Sequence, residues 1–408
     1  MYDWLDRAAL RRPERLAIEV PGEGSLTYEQ LRTDANRQAD VLHRAGVAPS
    51  TTCALEYEGG LEFAARLHGT LAVGAAAVPI DARLSQPEQA RRRLLLGLPY
   101  PDVATVMFTS GTTSVPKPVH LTLANWQANA VGSALALGLD QNERWLCPMP
   151  LAHVGGMSIL LRSTLYATTV VLHPRYQTEA VLEELMRPNR AMTLVSLVPT
   201  MLARLLDAGL QDPPTLRWVL LGGGPTPAPL LARAAAAGVP VAPTYGMTEG
   251  CSQIATFGVP LHGVELRLDD GEIVVRGPNV AANCLDPDGW LHTGDLGALD
   301  QRGRLKIIGR SADTIVSGGE NVAPVEVEEA LMEHGAVADA GVFARADPQW
   351  GERVVAKVVL RAGGRVTPQE LERFLAGRLA RFKVPKEIEY AQELPRTVSG
   401  KLLRRELR

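Results

Sequence analysis

Cysteine is scarce: Cys53, Cys147, Cys251 and Cys284 are the whole complement, and no two stand in a CxxC spacing. Scattered thiols exclude a disulfide scaffold and a cysteine-ligated structural zinc, and they point to a reducing compartment. Net charge is nearly absent too, −3 at pH 7 with both signs interspersed. That leaves no electrostatic footprint for a nucleic acid, and Arg91-Arg92-Arg93 reads as one solvated helix face. No apolar run reaches membrane-spanning length, the longest being Leu71–Ile80. The N-terminal MYDWLDRAAL holds two acids and no apolar core, so it is not a signal peptide. Repeats and low-complexity tracts are missing. What remains is a cytoplasmic chain of 408 residues, 46% apolar, long enough for two or three domains. A homo-oligomer is compatible with this composition.

The most informative stretch present is Val106–Thr122, VMFTSGTTSVPKPVHLT. Val106-Met107-Phe108 reads as a buried strand running into Thr109, Ser110, Gly111, Thr112 and Thr113, four hydroxyls around one glycine. Such a loop offers backbone N–H and side-chain O–H groups to phosphate oxygens. Gly111 permits a tight turn and close approach, and Lys117 follows as a counter-charge. This is not the Walker pattern, because the single Gly-Lys pair, Gly400-Lys401, is followed by Leu402. Taken alone, the loop fits a polar turn after a strand equally well.

Elsewhere the pattern alternates. Asp3–Ala9, Thr27–Ala45, Glu62–Val73 and Leu123–Leu137 read as helices, and Cys53–Glu56 and Ala75–Ile80 as strands. Trp145–Pro150, Val170–Leu172, Thr193–Val195, Arg217–Leu221 and Val239–Thr244 follow as strands. Residues 84–102 form a short connector, and Leu151–Gly156 reads as a loop. Polar or glycine-rich segments follow three strands: Leu151–Gly156, Gly222-Gly223-Gly224-Pro225 and Tyr245-Gly246-Met247-Thr248-Glu249. Open α/β sheets bind ligands where strands end at their carboxyl edge, so one shared site is expected. From Val264 onward the texture turns β-rich: Val264–Leu268, Glu272–Arg276, Trp290–Asp295 and Leu299–Gly303. Past Arg310 a distinct unit begins, with helices Pro324–Glu333 and Thr367–Ala376 and strands Asp339–Phe343 and Arg353–Leu360. The expected fold is multi-domain α/β: a large domain of α/β layers with a small β-barrel-like subdomain over 1–310, and a small mobile α+β domain over 311–408.

Five stretches, in order, resemble the adenylate-forming superfamily of acyl-CoA synthetases, carrier-protein adenylation domains and firefly luciferases: Thr109–Lys117, Tyr245–Gly250, Trp290–Gly297, Gly309–Glu328 and Pro395–Leu407. The resemblance implies a two-step reaction. A carboxylate attacks the α-phosphate of ATP, giving acyl-AMP and pyrophosphate, and a thiol then displaces AMP. It implies that Thr109, Ser110, Gly111, Thr112 and Thr113 hold the β- and γ-phosphates with Lys117. Tyr245, beside Gly246, would lie on the adenine face, and Gly222, Gly223 and Gly224 would line its pocket. Thr248 would bond the α-phosphate and Glu249 would place Mg²⁺. Asp295 would accept the ribose hydroxyls and Arg310 donate to ribose or phosphate. Lys401 would stabilise the charge that builds during adenylation. The small domain would rotate about Ala312 so that the Gly318, Gly319 and Glu320 loop replaces Lys401 and helps form the thiol channel.

Leu151–Leu172 and Thr244–Thr256 resemble the 2-succinylbenzoate–CoA ligases of menaquinone biosynthesis. That implies His153 at the mouth of the acyl pocket, and Arg162, Ser252 and Gln253 for the second carboxylate. ATP, Mg²⁺ and coenzyme A follow as cofactors and co-substrates, with no nucleic acid and no membrane insertion. The chain ends at Arg408 without a fused carrier module, which favours a free thiol. The rival readings are another acyl- or aryl-CoA ligase, a stand-alone enzyme loading a carrier protein, and a non-catalytic nucleotide-binding protein. Three departures stand out. Relatives carry several tens more residues where 84–102 forms a short connector, so part of an N-terminal subdomain is expected to be missing. Ser114 and Pro118 replace loop glycines, which should stiffen the loop and weaken ATP binding. Ala312 replaces a polar hinge residue.

Overall fold

The computed structural model describes residues 2–56, 59–81, 83–96, 98–109, 117–397 and 402–407. Four sheets organise the chain. The largest has nine strands. Its middle is parallel: Leu16–Val20, Thr169–Leu172, Arg144–Cys147, Leu194–Leu197, Trp218–Leu221 and Val241–Met247. Antiparallel strands close the two edges, Gly24–Thr27 at one and Ser252–Thr256 with Val259–Pro260 at the other. The inner strands Thr169–Leu172 and Leu194–Leu197 are buried at every residue, because helices cover both faces. Such strands read as continuous apolar runs, which is why they are legible without alternation.

A second sheet joins Thr52–Glu56, Ala76–Ile80 and Val103–Phe108 in parallel, with Pro118–Thr122 antiparallel at its edge. The expected β-barrel-like region is a four-stranded antiparallel sheet of Glu265–Asp269, Glu272–Arg276, Leu291–Leu299 and Leu305–Arg310. The C-terminal sheet runs Glu320–Val322, Ile315–Ser317, Gly351–Leu360, Val337–Asp347, with Glu387–Ala391 parallel to Gly351–Leu360. Helices Pro324–Met332 and Pro368–Ala376 contribute Val327, Leu331, Leu371 and Leu375 to its core.

Helix starts follow local chemistry. Thr27, Thr122 and Thr367 each accept from the third helical N–H, while the side chain at that position reaches back, which satisfies donors the helix cannot. Two expectations need correction. Leu299–Gly303 is not a strand: the chain reverses there, Gly303 N donating to Asp300 O at 2.9 Å, and the strand resumes at Leu305. Leu151–Gly156 is not wholly loop, since helix Val154–Tyr166 starts inside it. Gly156 is there for closeness, because a Cβ would stand 2.4 Å from Pro150 O.

The N-terminal segment is tied down by one buried imidazole. His68, fully buried on helix Gly60–Ala72, meets Tyr2 Oη through Nδ1 and Thr164 Oγ1 through Nε2 at 3.3 Å. Burial pushes its pKa down to about 3. Below the ordinary histidine value the unfolded chain binds a proton that the folded chain refuses. Stability should therefore fall with pH, by at most about 1.4 kcal/mol per unit from this group, between about 6.5 and about 3. Denaturant titrations at pH 7 and pH 5 should show a shallower loss for His68→Gln than for the parent; equal slopes would refute this assignment.

Candidate functional site

Strand Val241–Met247 continues through Tyr245-Gly246-Met247 instead of ending before them, bent by a bulge between Tyr245 and Gly246. The bend turns Tyr245 toward the neighbouring antiparallel sheet. There Tyr245 Oη donates to Asp295 Oδ2 at 2.9 Å, and Arg310 Nε sits 2.9 Å from Asp295 Oδ1. Asp295 and Arg310 face each other directly across two paired strands. Burial first, then the Asp295 charge, pushes the Tyr245 hydroxyl well above its ordinary pKa, so it stays a donor. Asp295 is buried, yet each of its oxygens keeps a second lone pair beyond Tyr245 and Arg310.

The backbone before Asp295 is shaped by Glu272. Its Oε1 accepts from Gly294 N at 2.8 Å and its Oε2 lies 3.3 Å from His292 Nδ1. Asp288 and Glu272 together raise the His292 pKa. Thr293 Oγ1 takes the Asp295 N–H at 3.1 Å and donates to Ile273 O at 2.6 Å.

Glycines crowd the other side of Tyr245. A Cβ on Gly222 would lie 2.7 Å from Thr244 Cγ2, and Gly223 holds φ +80°. Gly224 follows them. Next, Thr248–Cys251 forms a tight turn, with Cys251 N donating to Thr248 O at 3.0 Å. Cys251 and Ser252 carry positive φ, 55° and 90°, which side chains adopt at a cost. Asn279 holds this turn, its Nδ2 donating to Gly250 O at 3.0 Å and Gln253 O at 3.2 Å, while Ala281 N donates to Glu249 O at 2.8 Å. Asn279 was missed by sequence reasoning; its only signal was a polar residue beside an apolar run.

The expected phosphate loop joins the antiparallel strands Val103–Phe108 and Pro118–Thr122. Its ends close on each other, Thr109 N donating to Lys117 O at 3.2 Å. Ser110, Gly111, Thr112, Thr113 and Ser114 lie outside the described residues. Lys117 is exposed and shares surroundings with Glu249. Cys284 feels both, its thiol pushed up to about 12 by burial and by Glu249 against the opposing Lys117 charge. Asn283, beside it, accepts from His120 N at 3.0 Å and donates to Pro118 O at 3.1 Å. Pro118 opens its strand, where a missing donor costs the ladder least.

His153 caps helix Val154–Tyr166 close to Asp81, which Arg83 grips with Nε at 2.7 Å. Burial lowers the His153 pKa against a smaller opposing pull from Asp81, so the imidazole is neutral near pH 7. One helix face further on, Arg162 is fully buried. It donates to Asn129 Oδ1 through Nη2, while Nε and Nη1 have no hydrogen-bond partner. Asn129 Nδ2 in turn holds Gln253 O at 2.8 Å, so Arg162 backs onto Cys251-Ser252-Gln253. Gly318 and Gly319 form an exposed two-residue hairpin turn in the C-terminal sheet, Glu320 opens the next strand, and none of the three joins the Tyr245–Asp295–Arg310 cluster. Lys401 lies outside the described residues, between stems that pair at Arg396 and Leu402.

The described residues thus include a buried, partly satisfied carboxylate, a close-packed run of glycines, an exposed lysine and a loop glutamate that both act on Cys284, and a buried guanidinium with no ion pair. An added Cβ on Gly246 would stand 1.7 Å from Ser252 O, with backbone on both sides unable to yield. Gly246→Ala should cost at least about 3 kcal/mol by urea unfolding, whereas Gly335→Ala, with nothing within 4 Å of the new carbon, should stay near neutral. A Gly246→Ala protein as stable as the parent would contradict this packing.

Known proteins match the chain along its length. The model of the AMP-binding enzyme family matches residues 5–93 and 98–285, and that of the AMP-binding enzyme C-terminal domain matches 326–401. The break at 94–97 falls in the short connector. A 2-succinylbenzoate–CoA ligase from Bacillus cereus is 37% identical over 477 aligned positions, covering 100% of this chain and 98% of that protein. Because those positions outnumber the 408 residues here, the alignment includes positions with no counterpart in this chain. Two solved structures of o-succinylbenzoate CoA synthetase (MenE) from Bacillus subtilis are similar. One holds the acyl-adenylate intermediate OSB-AMP, with TM-score 0.88, 34% identity and coverage of 100% and 98% of the two chains. The other holds ATP and magnesium ion, with TM-score 0.89, 35% identity and coverage of 99% of each. The chain belongs to the AMP-binding enzyme family.

Proposed function

We propose that this chain is an ATP-dependent acid–CoA ligase acting on 2-succinylbenzoate. The observation that carries the nucleotide half is Asp295, a buried carboxylate fixed by Tyr245 and Arg310 with lone pairs to spare for two ribose hydroxyls. Tyr245 stacks on adenine above the shelf of Gly222, Gly223 and Gly224. Thr109–Thr113 and Lys117 take the β- and γ-phosphates, and Thr248 the α-phosphate. The relatives' names support the acid and the acceptor.

Glu249 suits a magnesium ion held mostly by phosphate oxygens and water. Among the described residues no group of three His, Cys, Asp or Glu forms a protein-only metal cage, as this ion seldom needs one. When bound, the ion neutralises phosphate charge. The aliphatic carboxylate oxygen forms a bond to the α-phosphorus while the bond to the pyrophosphate oxygen breaks. Lys401 donates to the charge that spreads over the α-phosphate in that step. AMP is then a far better leaving group than oxide when the thiolate sulfur of coenzyme A attacks the acyl carbonyl.

The second carboxylate of the acid is assigned to Arg162 with Ser252 and Gln253. A buried guanidinium lacking an anion is costly, and a bound carboxylate would supply it. His153, neutral and at the start of the same helix, faces the pocket mouth. Residues 1–310 form the nucleotide and acyl domain. Residues 311–408 form a lobe that swings about exposed Ala312, presenting Lys401 for adenylation and the Gly318-Gly319-Glu320 turn for thioester formation. The separate matches of the two family models support that division. The site of action is the cytoplasm, which four free cysteines suit.

A panel of acids with ATP, Mg²⁺ and coenzyme A, read by mass spectrometry, should give 2-succinylbenzoyl-CoA with AMP and pyrophosphate. Thioester from other acids but none from 2-succinylbenzoate would sink the substrate assignment. Lys401→Ala should slow pyrophosphate release by about 10²–10³ and largely spare thioester formation from supplied acyl-adenylate. Arg162→Met should raise KM for 2-succinylbenzoate at least about tenfold while sparing 4-oxo-4-phenylbutyrate, which lacks the aromatic carboxylate. An equal rise for both acids would remove Arg162 from recognition.

A further inference from the structure

Near the C-terminus one arginine reaches three separate elements. Arg404, on the turn Arg404–Glu406, keeps only 16% of its side chain exposed. Its Nη2 donates to Glu328 Oε2 at 2.9 Å and its Nη1 to Glu328 Oε1, so helix Pro324–Met332 is gripped in two-point fashion. Nη1 also donates to Val342 O at 2.9 Å, on strand Val337–Asp347. Nε donates to Asp313 Oδ2 at 3.3 Å. Asp313 ends the turn Ser311–Asp313 that links the nucleotide-side strand Leu305–Arg310 to the C-terminal sheet, one residue past Ala312.

The same residue sits at the stem of the 398–401 segment. Leu402 pairs with Arg396, and Leu403 N donates to Pro395 O at 2.9 Å. The opposite stem is pinned by Arg396, whose Nη2 meets both Asp339 oxygens at 2.9 and 2.7 Å, again on strand Val337–Asp347. Leu402 and Leu407 close over Gly341, where a Cβ would lie 2.9 Å from Leu407 Cδ1. Both stems are therefore locked to one strand. Of the two arginines that pin them, Arg404 is the one bonded to the hinge turn.

We propose that Arg404 is a positioning residue for adenylation: it makes the hinge turn and the stem of the Lys401 segment one rigid piece, so the swing at 310–312 sets where Lys401 arrives. The inference rests on the role proposed above for Lys401. A two-point guanidinium fork with a third bond along Nε fixes direction as well as distance, which a lysine ammonium cannot do. Placement matters steeply, because a misplacement near 1 Å at a reacting centre costs about 10²-fold in rate. Thioester formation does not use Lys401 and should tolerate the change.

Arg404→Lys and Asp313→Asn are compared with Lys401→Ala in single-turnover assays of each half-reaction, with thermal melts alongside. Arg404→Lys should slow pyrophosphate release about 10²-fold and leave thioester formation from supplied acyl-adenylate within about twofold. Asp313→Asn keeps the Glu328 grip, should melt with the parent, and should still slow adenylation about tenfold. Arg404→Lys added to Lys401→Ala should cost nothing further, since the two act as a unit. Equal loss in both half-reactions, additive loss with Lys401→Ala, or full adenylation activity in a folded Asp313→Asn would each overturn the proposal. If Lys401→Ala itself adenylates normally, the role of Lys401 fails and this inference with it. If Lys401→Ala is slow and Arg404→Lys is not, only the inference fails.

Discussion

Asp295 ties two sheets together through two bonds, one from each sheet. Tyr245 arrives from the third strand in from one edge of the nine-stranded sheet and Arg310 from the antiparallel one, and each takes one carboxylate oxygen. A buried carboxylate needs such partners, since an isolated buried charge would neutralise instead. The same bonds set the angle at which Tyr245 presents its ring. The bulge at Tyr245/Gly246 exists to deliver that hydroxyl, and Gly246 exists because the bulge brings Ser252 O too close for any side chain. The fold's most specific local feature therefore follows from one shared anion.

The positions of these residues were legible in the sequence to different depths. The buried parallel strands announced themselves as apolar runs, because that signal is local. The YGMTE segment was legible as a motif, yet its strand character was not. Glycine and a bulge look like the end of a strand when the pairing partner, Ser252–Thr256, cannot be seen. Leu299–Gly303 misled in the opposite way: Leu299 ends one strand, but Asp300 and Gly303 close a turn before the next begins at Leu305. Asn129 and Asn279 stayed invisible because their work is long-range, gripping carbonyls over a hundred and over twenty residues away in sequence, respectively.

Three arginines, one fully and two partly buried, show how burial alone fails to define a role. Arg404 is surrounded by Glu328 and Asp313, and its charge is fully answered inside the protein. Arg310 answers Asp295 and leaves part of that carboxylate open. Arg162 has an amide oxygen from Asn129 and the Trp145 ring 5.7 Å away, with two nitrogens lacking a hydrogen-bond partner. A guanidinium is strongly basic and does not escape by losing its proton, so Arg162 stays charged beside the Cys251–Gln253 turn that Asn129 holds. The three thus differ in how much of each charge the chain itself satisfies.

The substitutions around the phosphate loop fit the same economy of partners. Losing a glycine at position 118 removes backbone freedom, and proline removes a donor as well. In this chain, however, Pro118 stands first in its strand and its carbonyl is held by Asn283, whose Oδ1 also takes the His120 N–H. The loop's C-terminal end is thereby anchored to the turn Ala282–Cys284, close to Glu249 and Lys117. Stiffness at this end fixes the backbone from which the Lys117 side chain extends. The same proline thus takes freedom from the loop end while its carbonyl gains a fixed partner, a local trade of adaptability for preorganisation.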